Sequence, residues 1–457
     1  MIEIQEVVEQ ALRSSTADGC VVVASEHTEA NLRWANNNLT TNGQMASRSV
    51  TVISTVAKPD GTSAGVITRA VTTPEEMDAL VRASEAAARA NSPADDAAPL
   101  VEPYPNDDDW SAVPARTSVA IFDNFAPALG DAFARARSAD ELLFGFAEHE
   151  MTSTFVGSST GLRRRYDLPS GRLEVNGKSP DFSRSAWVGR QTLDFTDIDV
   201  AAIANELHTR LDWAANSVEI PAGRYETILP PSAVADLMIY AYWTASARDA
   251  DEGRNVFAKN PIGTQLSSLP LTLRSDPGEP GLPCAPFEVV IESEGGLQSV
   301  FDNGAPAPAT EWISQGTLMN LIRTRSWAAK TSAEPRPFVD NLILDGAGTA
   351  TLNELISSTK RGLLLTCLWY IREVDPQTLL LTGLTRDGVY LVENGAVTAA
   401  VNNFRFNESP IGLLNRISEV GRTERTLARE WSDYFNRTAM PAIRVPDFNM
   451  STVSQAS

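Results

Sequence analysis

An α+β fold is predicted, with helices and strand meanders in the first half of the chain and a β-rich second half. Two patterns predict it. In the first half, helix-type apolar spacing gives way to β-branched runs and then returns, and this order occurs twice. In the second half, short apolar runs alternate with Gly, Pro and other turn formers, densest over 278–308. At 457 residues the chain exceeds one ordinary core. It divides into an N-terminal α+β domain over 1–218, with two similar halves at about 1–92 and 110–218, and a C-terminal β-rich domain over 219–457.

In chain order, Ile4, Val7, Val8 and Leu12 recur at close to helical spacing and predict an amphipathic helix over 2–14. Strands are predicted over 20–24, 31–41 and 49–56, with Asn42-Gly43 as a turn between the last two. Thr73 and Glu76 are spaced as a capping box around Pro74, which predicts a helix over 75–91. The following Ala/Pro/Asp-rich stretch ends in Asn106, Asp107, Asp108 and Asp109. It lacks the alternating ligands and central Gly of a calcium loop and reads as an exposed connection. A second block follows, with a helix over 126–137, a strand over 148–156, a turn at Thr160-Gly161 and a helix over 197–213. Beyond it, 233–247 is helix-like, and strands are predicted over 362–370 and 388–393.

Composition narrows the function. The 38 basic against 58 acidic residues give a net charge of −20, which repels phosphate backbones and argues against a nucleic-acid partner. No segment approaches the roughly 18 uninterrupted apolar residues of a membrane span, and the N-terminus lacks a basic-then-apolar leader, so a cytoplasmic protein is expected. Cys20, Cys284 and Cys367 form no CxxC pair, which leaves no cysteine-based zinc site and no disulfide framework.

Only three histidines are available as general bases or metal ligands: His27, His149 and His208. In Glu148-His149-Glu150, strand alternation sends the two carboxylates to the face opposite the imidazole, whereas a zinc site needs three or four convergent groups. His208 has Asp212 four residues on, the spacing of a surface pair. No GxSxG elbow, phosphate-binding GxxxxGK[ST] or GxGxxG is present, although a dispersed serine triad stays open. Tyr240, Tyr242 and Trp243 are expected to pack in a core, and Trp110, Trp312 and Trp369 likewise.

Several passages resemble the TldD/PmbA family. They are Arg33-Trp34-Ala35-Asn36-Asn37 with Leu39-Thr40-Thr41-Asn42-Gly43, then Gly161-Leu162-Arg163, Gly223-Arg224-Tyr225-Glu226, and Leu229-Pro230-Pro231-Ser232 leading into the central helix. Arg361-Gly362-Leu363-Leu364, Val374-Asp375-Pro376 and Tyr390-Leu391-Val392-Glu393-Asn394-Gly395 resemble its C-terminal pattern. The likeness spans roughly 20–425.

The resemblance implies that in the TldD branch the central helix carries HExxxH, two histidines for the metal and a glutamate as base. The corresponding stretch here, 237–244, holds Leu237, Met238, Ile239, Tyr240 and Thr244 and no such ligand. This is similar to the TldE (PmbA) branch. It implies a chain without catalytic or metal-binding residues or a cofactor, paired in a heterodimer with a zinc-bearing, HExxxH-containing TldD-like subunit. The implied activity is proteolysis of unfolded peptides or modified-peptide precursors. Arg33, Asn36, Arg224 and Tyr225 are the candidate substrate-contacting or structural motif residues. Two alternatives are a homodimer that binds peptides without cleaving them and an autonomous hydrolase using a dispersed Ser with His149 or His208.

Overall fold

The computed structural model describes residues 2–70, 73–105 and 109–454, so Asn106, Asp107 and Asp108 of the acidic run lie outside the described residues. The first part runs α1 (Ile4–Ser14), β1 (Gly19–Ala35), β2 (Asn38–Lys58), β3 (Gly61–Arg69), α2 (Pro74–Ala90), then α3 (Phe125–Ser138), β4 (Leu142–Ser158), β5 (Arg163–Lys178), β6 (Ser185–Thr192) and α4 (Val200–Trp213). Each three-strand meander is flanked by two helices. The meanders join through β1 and β4 into one antiparallel sheet of order β3-β2-β1-β4-β5-β6. The capping box forms as its spacing requires: Thr73 accepts the Glu76 N–H, and the Glu76 carboxylate accepts the Thr73 N–H.

The first meander differs from its sequence-based outline. The predicted strands over 20–24 and 31–41 belong to a hairpin whose turn is Asn36-Asn37, and Asn42-Gly43 sits inside β2 opposite Leu32 and Asn31. Both turn residues have positive φ, +51° and +59°, the conformation that a two-residue hairpin turn demands and Asn tolerates. Asn37 decides the position. It is buried, its Oδ1 accepts the Leu143 N–H at 2.7 Å, and its Nδ2 donates to the Glu141 carbonyl at 2.7 Å. Asn37→Ala loses both bonds and puts a Cβ-only residue at positive φ. A loss of about 1–3 kcal/mol is expected, measured by chemical denaturation, whereas Asn42→Ala inside β2 is expected to change stability by less than about 1 kcal/mol.

Alternation along β1 fixes which face meets what. Cys20, Val22 and Ala24 bury against α1 and α2, while Ala30, Leu32 and Trp34, on the same face, bury against α3 and α4. All four helices therefore cover one face. On the other, Val21 and Val23 pack against Phe287, Val300 and Phe301 from the second part, and His27, Glu29, Asn31 and Arg33 are less buried.

The second part is β-rich and wraps one long helix, α5 (Pro231–Trp243). Its hub is the strand Thr438–Val453, which pairs with Leu342–Asp345, Gly223–Leu229, Phe404–Glu408 and Glu419–Thr426. The single strand predicted over 362–370 divides at Thr366-Cys367. Arg361–Leu365 pairs with Gly223–Leu229 and Val389–Glu393, whereas Leu368–Asp375 leaves to pair with Leu380–Thr385. The division puts Leu368–Asp375 on a sheet edge, with one strand neighbour among the described residues. All three cysteines are buried and unpaired, as expected of small hydrophobes.

Candidate functional site

Helix α5 is apolar on almost every side, and Leu237, Met238 and Ile239 are fully buried in the largest core. Tyr242 lies in that core, with Trp312 at a centroid distance of 5.2 Å and Phe338 stacked at 4.9 Å. Trp243, in the last turn, instead borders a cavity of about 780 Å³. Phe338, Trp369, Tyr370, Trp431 and Tyr434 complete an aromatic lining, with Arg372, Glu294 and Glu430 as its charged members. Trp243 meets Trp431 edge-on at 5.1 Å, and Trp369 meets Tyr370 edge-on at 5.6 Å. Tyr434 is 77% exposed and Tyr370 56%, so the mouth of the cavity presents aromatic surface to solvent.

The wall formed by 429–434 is held from two sides. From α5, the wholly buried Asp236 accepts the Glu430 N–H at 2.8 Å, and its carbonyl accepts the Trp431 indole N–H at 2.9 Å. Burial pushes the Asp236 carboxyl well above the usual carboxylate range, beyond what these bonds recover. From β5, the buried Glu174 accepts the Trp187 indole N–H at 3.0 Å and the Ser432 hydroxyl at 2.8 Å, and it faces Arg429 at 3.3 Å. Arg429 in turn lies over the Trp369 ring, 4.3 Å from its centroid. Glu430 accepts the backbone N–H groups of Tyr370 at 3.1 Å and Ile371 at 3.0 Å and pairs with Arg372. These two residues form the irregularity in Leu368–Asp375, where Tyr370 takes a φ of +52°. The cavity therefore joins an aromatic surface to an edge strand.

Residues 222–452, half of the chain and all of the elements around this cavity, match the PmbA/TldA metallopeptidase C-terminal domain. The chain belongs to the TldD/PmbA family. Its whole fold is similar to that of TldE from Thermococcus kodakarensis, with a TM-score of 0.80 at 17% identity over 97% of this chain and 99% of the other. It is also similar to a proposed modulator of a DNA gyrase from Thermotoga maritima, with a TM-score of 0.75 at 18% identity over 97% and 98% of the two chains. A proposed modulator of DNA gyrase from Bacteroides thetaiotaomicron gives 0.77 at 14% identity over 98% of each chain. No curated protein matches the sequence.

The family's metallopeptidase designation raises the question of whether α5 of this TldD/PmbA member fits a metal. It does not. Leu237 and Ile239 offer no donor atom, Met238 offers only a buried thioether that suits copper(I) rather than zinc, and Tyr240 packs on Trp431 at 5.7 Å. The Thr244 hydroxyl donates within its own helix to the Tyr240 and Ala241 carbonyls. Asp236, the one carboxylate on the helix, is wholly buried and accepts backbone N–H groups of Arg429 and Glu430.

The other sequence-derived candidates lie elsewhere, and none lines the cavity. Arg33 is exposed near the end of β1, 5.8 Å from the Phe146 centroid, and Asn36 forms the β1–β2 turn. Arg224 donates to the Asp447 carbonyl at 2.9 Å, and the Tyr225 hydroxyl donates to the Pro221 carbonyl at 2.6 Å. His149 is a satisfied core residue whose ring bonds the Thr117 hydroxyl and the Leu193 carbonyl, both at 2.7 Å, and burial holds its pKa below the usual histidine range. His208 pairs at the surface with Glu141 at 2.6 Å and Asp212 at 3.4 Å, and the Glu141 bond raises its pKa. Sequence reasoning treated Trp243 and Trp369 as core and passed over Glu430, Trp431 and Tyr434. It also kept His27 apart from Glu150, which the β1–β4 register brings beside it.

Proposed function

We propose that this chain is the non-catalytic subunit of a two-subunit metallopeptidase, holding an extended peptide while a second subunit of TldD type supplies the zinc and the HExxxH base. The observation that carries the reading is the combination at α5. The helix positions that would hold a metal are filled with buried apolar side chains, and its last turn borders an aromatic cavity beside an edge strand. Aromatic surface binds apolar side chains at little entropic cost, and an edge strand offers main-chain pairing to an unfolded segment, so the site suits extended or unfolded chains. Folded proteins cannot present such a segment. Unfolded peptides and modified-peptide precursors are thus the substrate class.

The test is reconstitution. The chain alone is expected to leave peptides uncut, and hydrolysis is expected to appear when an HExxxH-bearing subunit of the family is added. Full-rate hydrolysis by the chain alone overturns the proposal, and peptide binding without cleavage in every combination favours the homodimeric binder instead. In the reconstituted pair, Trp243→Ala is expected to raise KM by about tenfold with kcat little changed, because it removes one aromatic contact of about 1–1.5 kcal/mol from ground state and transition state alike.

A further inference from the structure

The face of the six-stranded sheet opposite the helices carries, between its contacts with the second part, a group of side chains that the peptide-holding role does not use. Antiparallel pairing of β1 with β4 sets Glu29 opposite Glu150 and His27 opposite Thr152, and cross-strand partners share a face. One donor atom each from His27, Glu29 and Glu150 lies within 4.8 Å of the others. The imidazole is already oriented: its Nδ1 bonds the Thr152 hydroxyl at 3.0 Å, which leaves Nε2 as its other possible donor atom. Orientation of a ligating histidine by a bond at its other nitrogen is a regular feature of metal sites.

The charges around the group are unbalanced. Facing it are Glu148 and Glu150 from β4, Glu29 and Arg33 from β1, and Arg172 from β5, while β2 contributes only the uncharged Met45 and Ser47. Arg172 is committed to Glu148 at 3.3 Å and to Asp433, and Arg33 lies by Phe146. Among the described residues Glu29 and Glu150 form no ion pair; Glu29 accepts only the Asn31 amide, and Glu150 only shares a hydrogen bond with Glu148. Glu29 and Glu148 both repel the Glu150 carboxylate, and Arg172 attracts it without pairing with it.

We propose that His27, Glu29 and Glu150 bind a divalent transition-metal ion, with zinc as the reference ion, on this face of the sheet. One imidazole and two carboxylates form a mixed nitrogen and oxygen donor set that suits zinc or a neighbouring first-row dication better than calcium or magnesium. Bonds of about 2.0–2.2 Å place donor atoms up to about 4 Å apart, so small rotations of the two glutamate side chains bring the set onto one ion. Three protein ligands leave at least one position open. The site is independent of α5, and its failure would leave the peptidase-subunit reading intact.

The experiment is calorimetric titration of the full chain with zinc, and with cobalt for its visible spectrum. One saturable site per chain is expected, weakened at least about tenfold by His27→Gln and by Glu150→Gln. His208→Ala, which removes only a surface pair, is expected to bind as the parent does. Unchanged thermal melting of each variant shows that it is folded, and a variant that melts early is replaced by Glu29→Gln, for which the same weakening is expected. The absence of saturable binding up to about 1 mM metal, or equal affinity in folded His27 and Glu150 variants, overturns the proposal.

Discussion

Glu174→Ala is expected to destabilise the protein by about 3–5 kcal/mol, the range for removing one partner of a buried charged pair. Glu174 belongs to β5 of the first part, yet its carboxylate takes the Ser432 hydroxyl and faces Arg429, both from the loop that walls the aromatic cavity in the second part. It also accepts the indole N–H of the buried Trp187. Alanine leaves three donors without an acceptor, one of them a guanidinium enclosed between the rings of Trp187 and Trp369. Ser432→Ala deletes one neutral donor and is expected to cost only about 1 kcal/mol. The two are compared by urea unfolding followed through tryptophan fluorescence, using the first transition if the two parts unfold separately. Because 429–436 then keeps, among the described residues, only the Arg172–Asp433 pair and the Asn436–Ser170 bond as side-chain ties to β5, peptide affinity at the cavity is expected to fall in Glu174→Ala as well. A loss below about 1 kcal/mol would mean that water replaces Glu174 and that Asp236 and the Arg172–Asp433 pair suffice to hold the loop.

Glu174 and Arg429 also show where sequence reasoning stops. Local signals were legible: the Thr73/Glu76 capping box, the near-helical spacing of Ile4, Val7, Val8 and Leu12, and the Thr160-Gly161 turn, where Gly161 has a φ of +99°. Each is decided within a few residues by backbone hydrogen bonding or φ preference. The α+β class was legible for the same reason, because it follows from the order of such segments. Asn42-Gly43 misled because its turn preference is real in isolation but weaker than the pairing of two long strands. Asn36-Asn37 accepts positive φ equally well and gains the buried bonds of Asn37. The cavity and the His27, Glu29, Glu150 group were hidden because each exists only through register. Residue 150 meets residue 29, and residue 430 meets 236, at contacts that composition and periodicity do not encode.

These long-range ties explain why a helix without metal ligands keeps a defined position. In α5, Leu237, Met238, Ile239 and Tyr242 are enclosed by apolar packing, so the helix's placement depends on the fit of large side chains. Trp243 borders the cavity while Tyr242, one residue earlier and about 100° around the helix, is locked in the core. Its ring is stacked on Phe338, tilted against Trp312 and set edge-on to Phe435.

Tyr242→Ala is therefore expected to cost about 3–5 kcal/mol, the range for truncating a buried aromatic side chain where the surroundings collapse only partly. The hydroxyl adds a separable part. It donates to the Val339 carbonyl at 3.0 Å and accepts the Val339 N–H at 2.8 Å, and burial pushes the phenol pKa up, so the group stays neutral at every physiological pH. Tyr242→Phe keeps the ring and leaves both Val339 groups buried without that partner, which is expected to cost about 1–3 kcal/mol. If stability followed the ring alone, Phe would match the parent; if it followed the hydroxyl alone, Phe and Ala would be equally impaired. The expected order is parent, then Phe, then Ala, with the larger step at the loss of the ring. Peptide KM in the reconstituted enzyme is expected to rise in Tyr242→Ala at a temperature where the protein is still folded, because the helix end bearing Trp243 loses its anchor. An unchanged KM would show that Trp431 and Asp236 hold the cavity without it.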